Sequence, residues 1–439
     1  MDANILDPDV VRTSLAHHLV SAASHIVSCR VARYRHRPGD RSVVQYVVHV
    51  RDGRGHVSEE RVTGQWHTEP GRTSSIHDRL AKRAIAGSLS WHRPFAPVFF
   101  DQTLGMLATT FPFDRRLTAL SQVASGSAQP VVAAMLRSIG ASSEGVANVE
   151  VTPIRYREQL NAVCRYVVQT GQNDGASRAA CFYAKVYGDD RGAGTARLLL
   201  ELARATEGPG SHARVQTPVT YDVPLRTLVV SAAPGQPMDA IELRDAAAVD
   251  ETLVRVASAL AAFSRRQPQL PDEPVARSRV AACARSIRAI TDGLPSDTDA
   301  VRTLASWLEA HLRDCRVGLV HGDLKLEHVF LDGQVVWLID VDSAHMGDPL
   351  WDLALLQARW WSARDANPGG RAIADHGWDA LEAAYLPRVP ETWPKRLPPL
   401  QVAALLDVAA GTVKRREPDW RARSDRLIRQ ALGIASAPR

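Results

Sequence analysis

Lysine is scarce in this 439-residue chain: five of its 53 basic residues are lysine (Lys82, Lys185, Lys325, Lys395 and Lys414) and the rest are arginine. The arginines form neither a block nor a stripe interleaved with aromatic residues, so the composition excludes a nucleic-acid surface. Cysteine is also sparse. Cys29, Cys164, Cys181, Cys283 and Cys315 are odd in number, scattered and without metal-ligand spacing, which predicts free thiols in a reducing cytoplasm. No apolar run approaches the roughly 20 residues of a membrane span. Met1-Asp2-Ala3-Asn4 lacks the basic-then-apolar start of an export signal. What remains is an ordinary globular profile, 45% hydrophobic and 23% charged, on a chain long enough for two or three packed units. The sequence carries no signal for an oligomeric state.

A repeat organises the first half. Arg33-Tyr34-Arg35 followed by Val43-Val44-Gln45-Tyr46-Val47-Val48 recurs as Arg155-Tyr156-Arg157 followed by Val163-Cys164-Arg165-Tyr166-Val167-Val168. Val62 to His67 parallels Phe182 to Tyr187, which sets Gln65 against Lys185. Ala96 to Asp101 parallels Thr217 to Asp222, and Leu107 to Thr110 parallels Leu228 to Ser231. Alternating apolar residues predict strands throughout, so two small β lobes stand in tandem. The Ser/Ala/Gly-rich stretch Ser121 to Gln129 ends the first, and Ala141 to Gly145 lies in the connection. Helices are expected over Thr195 to Ala205, with Leu198, Leu199 and Leu202 inward, over Asp245 to Arg265, and over Asp299 to Cys315.

The densest chemistry lies further on. A strand from Val317 to Val320 runs into His321-Gly322-Asp323-Leu324-Lys325-Leu326-Glu327-His328. Asp332-Gly333 is a two-residue hairpin signal, after which come Leu338-Ile339-Asp340-Val341-Asp342 and Gly347-Asp348-Pro349-Leu350-Trp351-Asp352-Leu353-Ala354. With Asp332-Gly333 as the turn, Leu331 faces Gln334, and pairing back along the hairpin sets Asp340 near Lys325. A loop carboxylate and a strand-end carboxylate thus come side by side. Phosphoryl transfer needs such a pair, one to accept a hydroxyl proton and one to hold the Mg²⁺ that bridges the phosphates.

His-Gly-Asp, then Ile-Asp-x-Asp, then Gly-Asp-Pro-x-x-Asp-Leu-Ala resembles the aminoglycoside phosphotransferase and choline kinase group, small-molecule kinases with a protein-kinase-like fold. The resemblance is specific over about 317–358 and weaker from about 151 to the C-terminus. It implies an α+β fold of two lobes, an antiparallel-sheet N-lobe over 150–234 and a mostly helical C-lobe over 235–439. A degenerate N-lobe-like domain over 1–130 would precede them. It implies Asp323 as the catalytic aspartate, Asp340 as the principal metal ligand, and Asp352 as a brace of the catalytic loop. Lys185, on an alternating apolar strand, matches the lysine that grips the phosphates of ATP. Lys325 is placed to neutralise the transferring phosphoryl. Glu201, with Glu207 as alternative, would pair Lys185. Ser231-Ala232-Ala233-Pro234-Gly235 would be the hinge, with the backbone of Ser231 and Ala233 offered to adenine.

Three features depart from the family pattern. His328 stands where these kinases usually carry asparagine as a ligand for a second Mg²⁺, and imidazole suits that ion poorly. One-metal chemistry follows, with His328 as a candidate second-metal position or a loop hydrogen-bonder. Arg157 to Asn161, joining the strands before Lys185, contains no glycine. Gln65 replaces the lysine in the first lobe, which removes the charge that would hold phosphates. The expected activity is ATP-dependent phosphorylation of a hydroxyl on a sugar, amino alcohol or natural product. A catalytically silent relative that binds nucleotide or a protein partner is the alternative. The net charge of +5 weighs against a polycationic acceptor such as an aminoglycoside. Trp351, Trp360 and Trp361 belong either to the core or to a substrate wall.

Overall fold

The computed structural model describes residues 3–37, 39–69, 71–86, 93–141, 146–171, 177–204, 213–241, 246–268, 278–365, 370–416 and 419–437. Glu207 and most of the connection 141–145 lie outside them. The fold is α+β, with antiparallel sheets first and helices later. The chain divides into two compact units. One comprises 1–192, 220–229 and 414–418; the other comprises 193–219, 230–413 and 419–439.

The first unit opens with α1 (Pro8–Ala16), capped by the Asp7 side chain. Strands β1 (His25–Arg37), β2 (Arg41–Arg51) and β3 (Val57–His67), helix α2 (Arg72–Ala86), and strands β4 (Val98–Asp101) and β5 (Met106–Thr110) come next. The sheet order is β1-β2-β3-β5-β4. Period-two alternation sends successive side chains to opposite faces. Val44, Tyr46, Val48, Met106 and Ala108 join Val11 and Leu15 of α1 in one core. Leu107, between Met106 and Ala108, points the other way, onto Ile76 and Leu80 of α2.

After α3 (Leu120–Ala124) and α4 (Gln129–Ser138) the pattern repeats as β6 (Val146–Arg157), β7 (Asn161–Gly171), β8 (Ser177–Tyr187), α5 (Arg191–Arg204), the short β9 (Ala213–Val215), β10 (Pro218–Asp222) and β11 (Thr227–Ser231). The order β6-β7-β8-β11-β10 is that of the first sheet. The correspondence reaches single residues. Gln65 lies opposite Val43, and Lys185 lies opposite Val163. Register slips between Val31 and Arg33 in β1 and between Pro153 and Arg155 in β6. Asp114 joins the two halves of this unit. Its carboxylate accepts from Tyr156 Oη and the Gln159 backbone N–H, both at 2.8 Å. Gln65 Nε2 donates to Glu158 at 3.2 Å.

In the second unit β12 (Gln236–Pro237), α6 (Ala246–Ser264), α7 (Arg279–Gly293) and α8 (Thr298–His311) precede β13 (Gly318–Val320). Then come the hairpin β14 (Val329–Asp332) and β15 (Val335–Leu338), β16 (His345–Gly347), α9 (Leu350–Arg364), α10 (Gly370–Tyr385), α11 (Leu397–Arg415) and α12 (Trp420–Ser436). Helix α8 stops before Cys315 because the Arg313 guanidinium donates to the carbonyls of Glu309, Ala310 and Leu312, ending the ladder there. Trp360 and Trp361 are fully buried, and Trp351 is 3% exposed. Gly377 of α10 lets Trp360 approach so closely that a Cβ there would collide with the indole Nε1. These tryptophans are therefore core residues. No helix among the described residues is long and apolar enough to cross a membrane.

Candidate active site

The short strand β13 pairs antiparallel with β16, and the chain leaves it at His321. Gly322 has φ +83°, and a Cβ there would lie 2.6 Å from the Ser343 carbonyl, so the turn requires glycine. Asp352, in the first turn of α9, is buried and accepts from the backbone N–H of His321 at 2.6 Å and of Gly322 at 2.9 Å. Burial raises its pKa, against the opposing pull of His321 and those two N–H groups. Trp351 Nε1 faces the Gly322 carbonyl at 3.4 Å. Asp348 receives Arg396 through Nε at 2.7 Å and Nη2 at 3.2 Å, which anchors the start of α9. The loop that presents Asp323 is thus held from its N-terminal side by a helix end.

Asp323 is more than a third exposed, and its Oδ2 lies 3.2 Å from Lys325 Nζ. Burial alone would raise its carboxyl, but the Lys325 ammonium, which also hydrogen-bonds it, and further positive groups including Arg359 bring it below the ordinary value. The carboxylate is ionised at neutral pH.

His328 is buried, 5% exposed, between the two expected carboxylates. Its Nδ1 lies 3.1 Å from the Asp323 backbone carbonyl. A carbonyl can only accept, so Nδ1 carries the hydrogen. Burial, reinforced by Lys325, lowers the imidazole pKa to about 3, so the ring is neutral and Nε2 presents a lone pair. That lone pair faces Asp340 Oδ2 at 3.6 Å. Asp340 itself has φ +60°, a left-handed conformation that aspartate tolerates better than most residues. Two acceptors converge there. Among the described residues no group of three or more His, Cys, Asp or Glu could hold a metal ion.

The hairpin corrects the expected register. Asp332 pairs with Val335, Leu331 with Val336 and Val329 with Leu338, so Gly333-Gln334 are the turn residues. Gly333 takes φ +54° as the first of them. A turn on Asp332-Gly333 would instead put aspartate at that strained position. Every pairing moves by two residues. Ile339 N–H donates to the His328 carbonyl, which sets Asp340 one step further along, near Glu327 rather than Lys325. A two-residue slip keeps every side chain on its face, so alternation in the sequence could not reveal it.

The other candidates lie on several elements. Lys185 is in the first unit on β8, with Nζ 5.4 Å from the Tyr187 ring centroid. Glu201 is half-buried on α5, whose Leu198, Leu199 and Leu202 are buried as expected. It belongs to the second unit. The Ser231 N–H donates to the Thr217 carbonyl and its carbonyl accepts from Gln216 Nε2, so its backbone is largely spent. Among the described residues none hydrogen-bonds the backbone of Ala233. The sequence reading missed three supports of the loop: Trp351, Arg396, and His321, whose Nε2 donates to the Ile339 carbonyl at 2.8 Å. Only a motif's surroundings could have signalled them, since Trp351 and His321 act through backbone carbonyls and Arg396 through the Asp348 carboxylate, all distant in sequence.

The model of the phosphotransferase enzyme family, APH, matches residues 165–387. No curated protein matches the sequence. Among solved structures the chain is similar to a choline/ethanolamine kinase family protein from Mesorhizobium loti, with 18% identity, 72% of this chain and 95% of that one covered, and a TM-score of 0.46. It is also similar to choline kinase LicA from Streptococcus pneumoniae, with 16% identity, 70% and 99% covered, and a TM-score of 0.42. A third is amicoumacin kinase hAmiN in complex with AMP-PNP and Ca²⁺, with 15% identity, 70% and 96% covered, and a TM-score of 0.43.

Proposed function

Because the chain belongs to the APH phosphotransferase enzyme family, we infer that it transfers the terminal phosphoryl group of ATP to a hydroxyl group of a small molecule. The observation that carries this reading is the ionised Asp323, half-buried on a loop that Asp352 braces, with Lys325 Nζ 3.2 Å away. Asp323 orients the acceptor hydroxyl and takes its proton as the oxygen attacks. Lys325 moves between this carboxylate and the transferring phosphoryl, whose oxygens carry the negative charge. Lys185 holds the ATP phosphates as a compact cation, Glu201 being the carboxylate that the family resemblance offers it, and Ala233 rather than Ser231 offers its backbone to adenine.

A magnesium ion fits the residues present. Asp340 supplies the hard oxygen ligand and His328 turns a lone pair toward the same space, while Mg²⁺ usually takes only one or two protein carboxylates beside phosphate and water. Bound there, the ion would offset charge on the phosphates. Asp340 is its principal ligand, and His328 fixes the loop through the Asp323 carbonyl. One metal is enough in this arrangement.

Magnesium-dependent release of ADP should be measured with a panel of hydroxyl compounds, for the wild type and for Asp323→Asn. The expected result is turnover that falls at least 1,000-fold in Asp323→Asn, about 4 kcal/mol at 1.36 per decade, with nucleotide affinity nearly unchanged. Nucleotide binding without turnover on any acceptor would favour the silent relative. Near-normal turnover by Asp323→Asn would sink the assignment.

A further inference from the structure

Neither the core nor the proposed transfer site uses the arginines of the repeated Arg-Tyr-Arg sequence. In each copy the tyrosine turns inward. Tyr34 packs on the first core, and the buried Tyr156 donates to Asp114. Alternation then sends Arg33 and Arg35, and likewise Arg155 and Arg157, to the opposite face. Both strands slip register just before the first arginine, a bulge that re-aims the side chains beyond it.

The consequence is a concentration of guanidinium groups within one unit. Arg33, Arg35 and Arg157 line a shallow cleft, open to solvent, with Val43, Gln45 and Glu158. The charges that bear on Arg33 are those of Arg35, Arg155 and Arg415, all positive. Together with burial, the larger cause, they bring its pKa down to about 10. Arg416 lies over the Tyr34 ring at 5.3 Å. The Nε of Arg157 is buried without a hydrogen-bond partner among the described residues. The one carboxylate in the lining, Glu158, already accepts from Gln65 and Gln159. Arg35 and Arg41 draw its pKa down, but burial and Asp114 outweigh them.

Like charges crowded in a half-buried cleft oppose folding unless a counter-charge is supplied. Guanidinium forks match phosphate oxygens two at a time. We propose that this cleft binds a phosphate group, free or carried on a small molecule, between Arg33 of β1 and Arg157 of β6, with Arg35 beside them. None of Lys185, Asp323, Lys325 and Asp340 lines the cleft, and although Arg157 and Glu158 begin the glycine-free loop before Lys185, the Lys185→Ala background of the test keeps the two readings apart.

The test uses the full chain carrying Lys185→Ala, which removes the phosphate grip of the proposed nucleotide site. Calorimetric titration and thermal unfolding are read with inorganic phosphate and with glycerol 3-phosphate, at ionic strength matched by sodium chloride. Saturable binding of at least one of the two, with a raised unfolding midpoint, is expected. Tighter binding of the ester assigns the cleft to a phosphorylated metabolite, and equal binding assigns it to the free ion. Adding Arg33→Gln and Arg157→Gln should weaken binding at least tenfold while raising the anion-free midpoint, because the crowding is relieved. If that double variant does not fold, Arg35→Gln alone is read the same way. Unchanged affinity in the variants, a lowered anion-free midpoint, or an equal midpoint rise with sodium chloride alone would overturn the proposal.

Discussion

At the scale of the residue, the candidate site turns on two protonation states that burial and the same lysine set together. Burial raises the carboxyl of Asp323 and Lys325, with further positive groups, more than offsets it, while burial, with Lys325 adding to it, lowers the imidazole of His328. Replacing it by methionine removes the ammonium but keeps the stem. The burial that Lys325 offsets should then raise the pKa of Asp323, and the acid limb of kcat/KM should move to higher pH. A pH–rate profile whose limb stays in place would exclude Asp323 as the group that titrates. His328 leaves a signature in stability. Its folded value of about 3 lies below the unfolded value of about 6.5, so the unfolded chain takes the proton first. Its contribution is complete above about pH 6.5 and is lost as pH falls toward 3, amounting to about 2 kcal/mol by pH 5. Denaturant unfolding of His328→Asn should show a shallower loss of stability over that range. Turnover of this variant should stay within about tenfold of wild type, because a carboxamide can donate to the Asp323 carbonyl and present oxygen toward Asp340.

At the scale of the element, the start of α9 holds the loop more than the loop holds itself. One Asp352 oxygen serves each of two successive N–H groups. Asp352→Asn replaces one of those acceptors by a donor and leaves a buried N–H unpaired, which should cost about 1–3 kcal/mol. Urea unfolding measures that cost. With Asp323 less firmly placed, kcat should fall more than KM rises, and a variant with wild-type stability would show that the brace is dispensable. The helix was readable from Gly347-Asp348-Pro349 and the apolar run after it. Its hold on a loop thirty residues upstream, through Asp352, came only as what the resemblance implied, because a hydrogen bond to a backbone N–H leaves no mark on the partner's side chain.

At the scale of the whole molecule, two sheets of identical strand order carry one lysine between them at the equivalent position. Gln65 already donates its amide to Glu158, and a neutral amide brings no charge to a triphosphate. Titration with a non-hydrolysable ATP analogue and Mg²⁺ should therefore show one site per chain, abolished by Lys185→Ala and unchanged by Gln65→Ala. Two sites of similar affinity would mean that the first sheet binds nucleotide by other groups.

The sequence by itself determined the two-fold β repeat, because strand alternation is a local property, while the α+β fold and the aspartates singled out for the site came with the motifs that carry the family resemblance. It also placed Gln65 and Lys185 in equivalent positions, since a residue's register within a repeat comes from counting. Tertiary structure alone decided the hairpin register, the neutral state of His328 and the convergence of Arg33, Arg35 and Arg157. A two-residue slip leaves alternation intact, so the pattern of side chains did not separate Gly333-Gln334 from Asp332-Gly333 as the turn. A pKa depends on burial and on charges distant in sequence, and neither is written in the histidine. The arginine cleft needs two strands about 120 residues apart to meet, and only the folded chain brings them together.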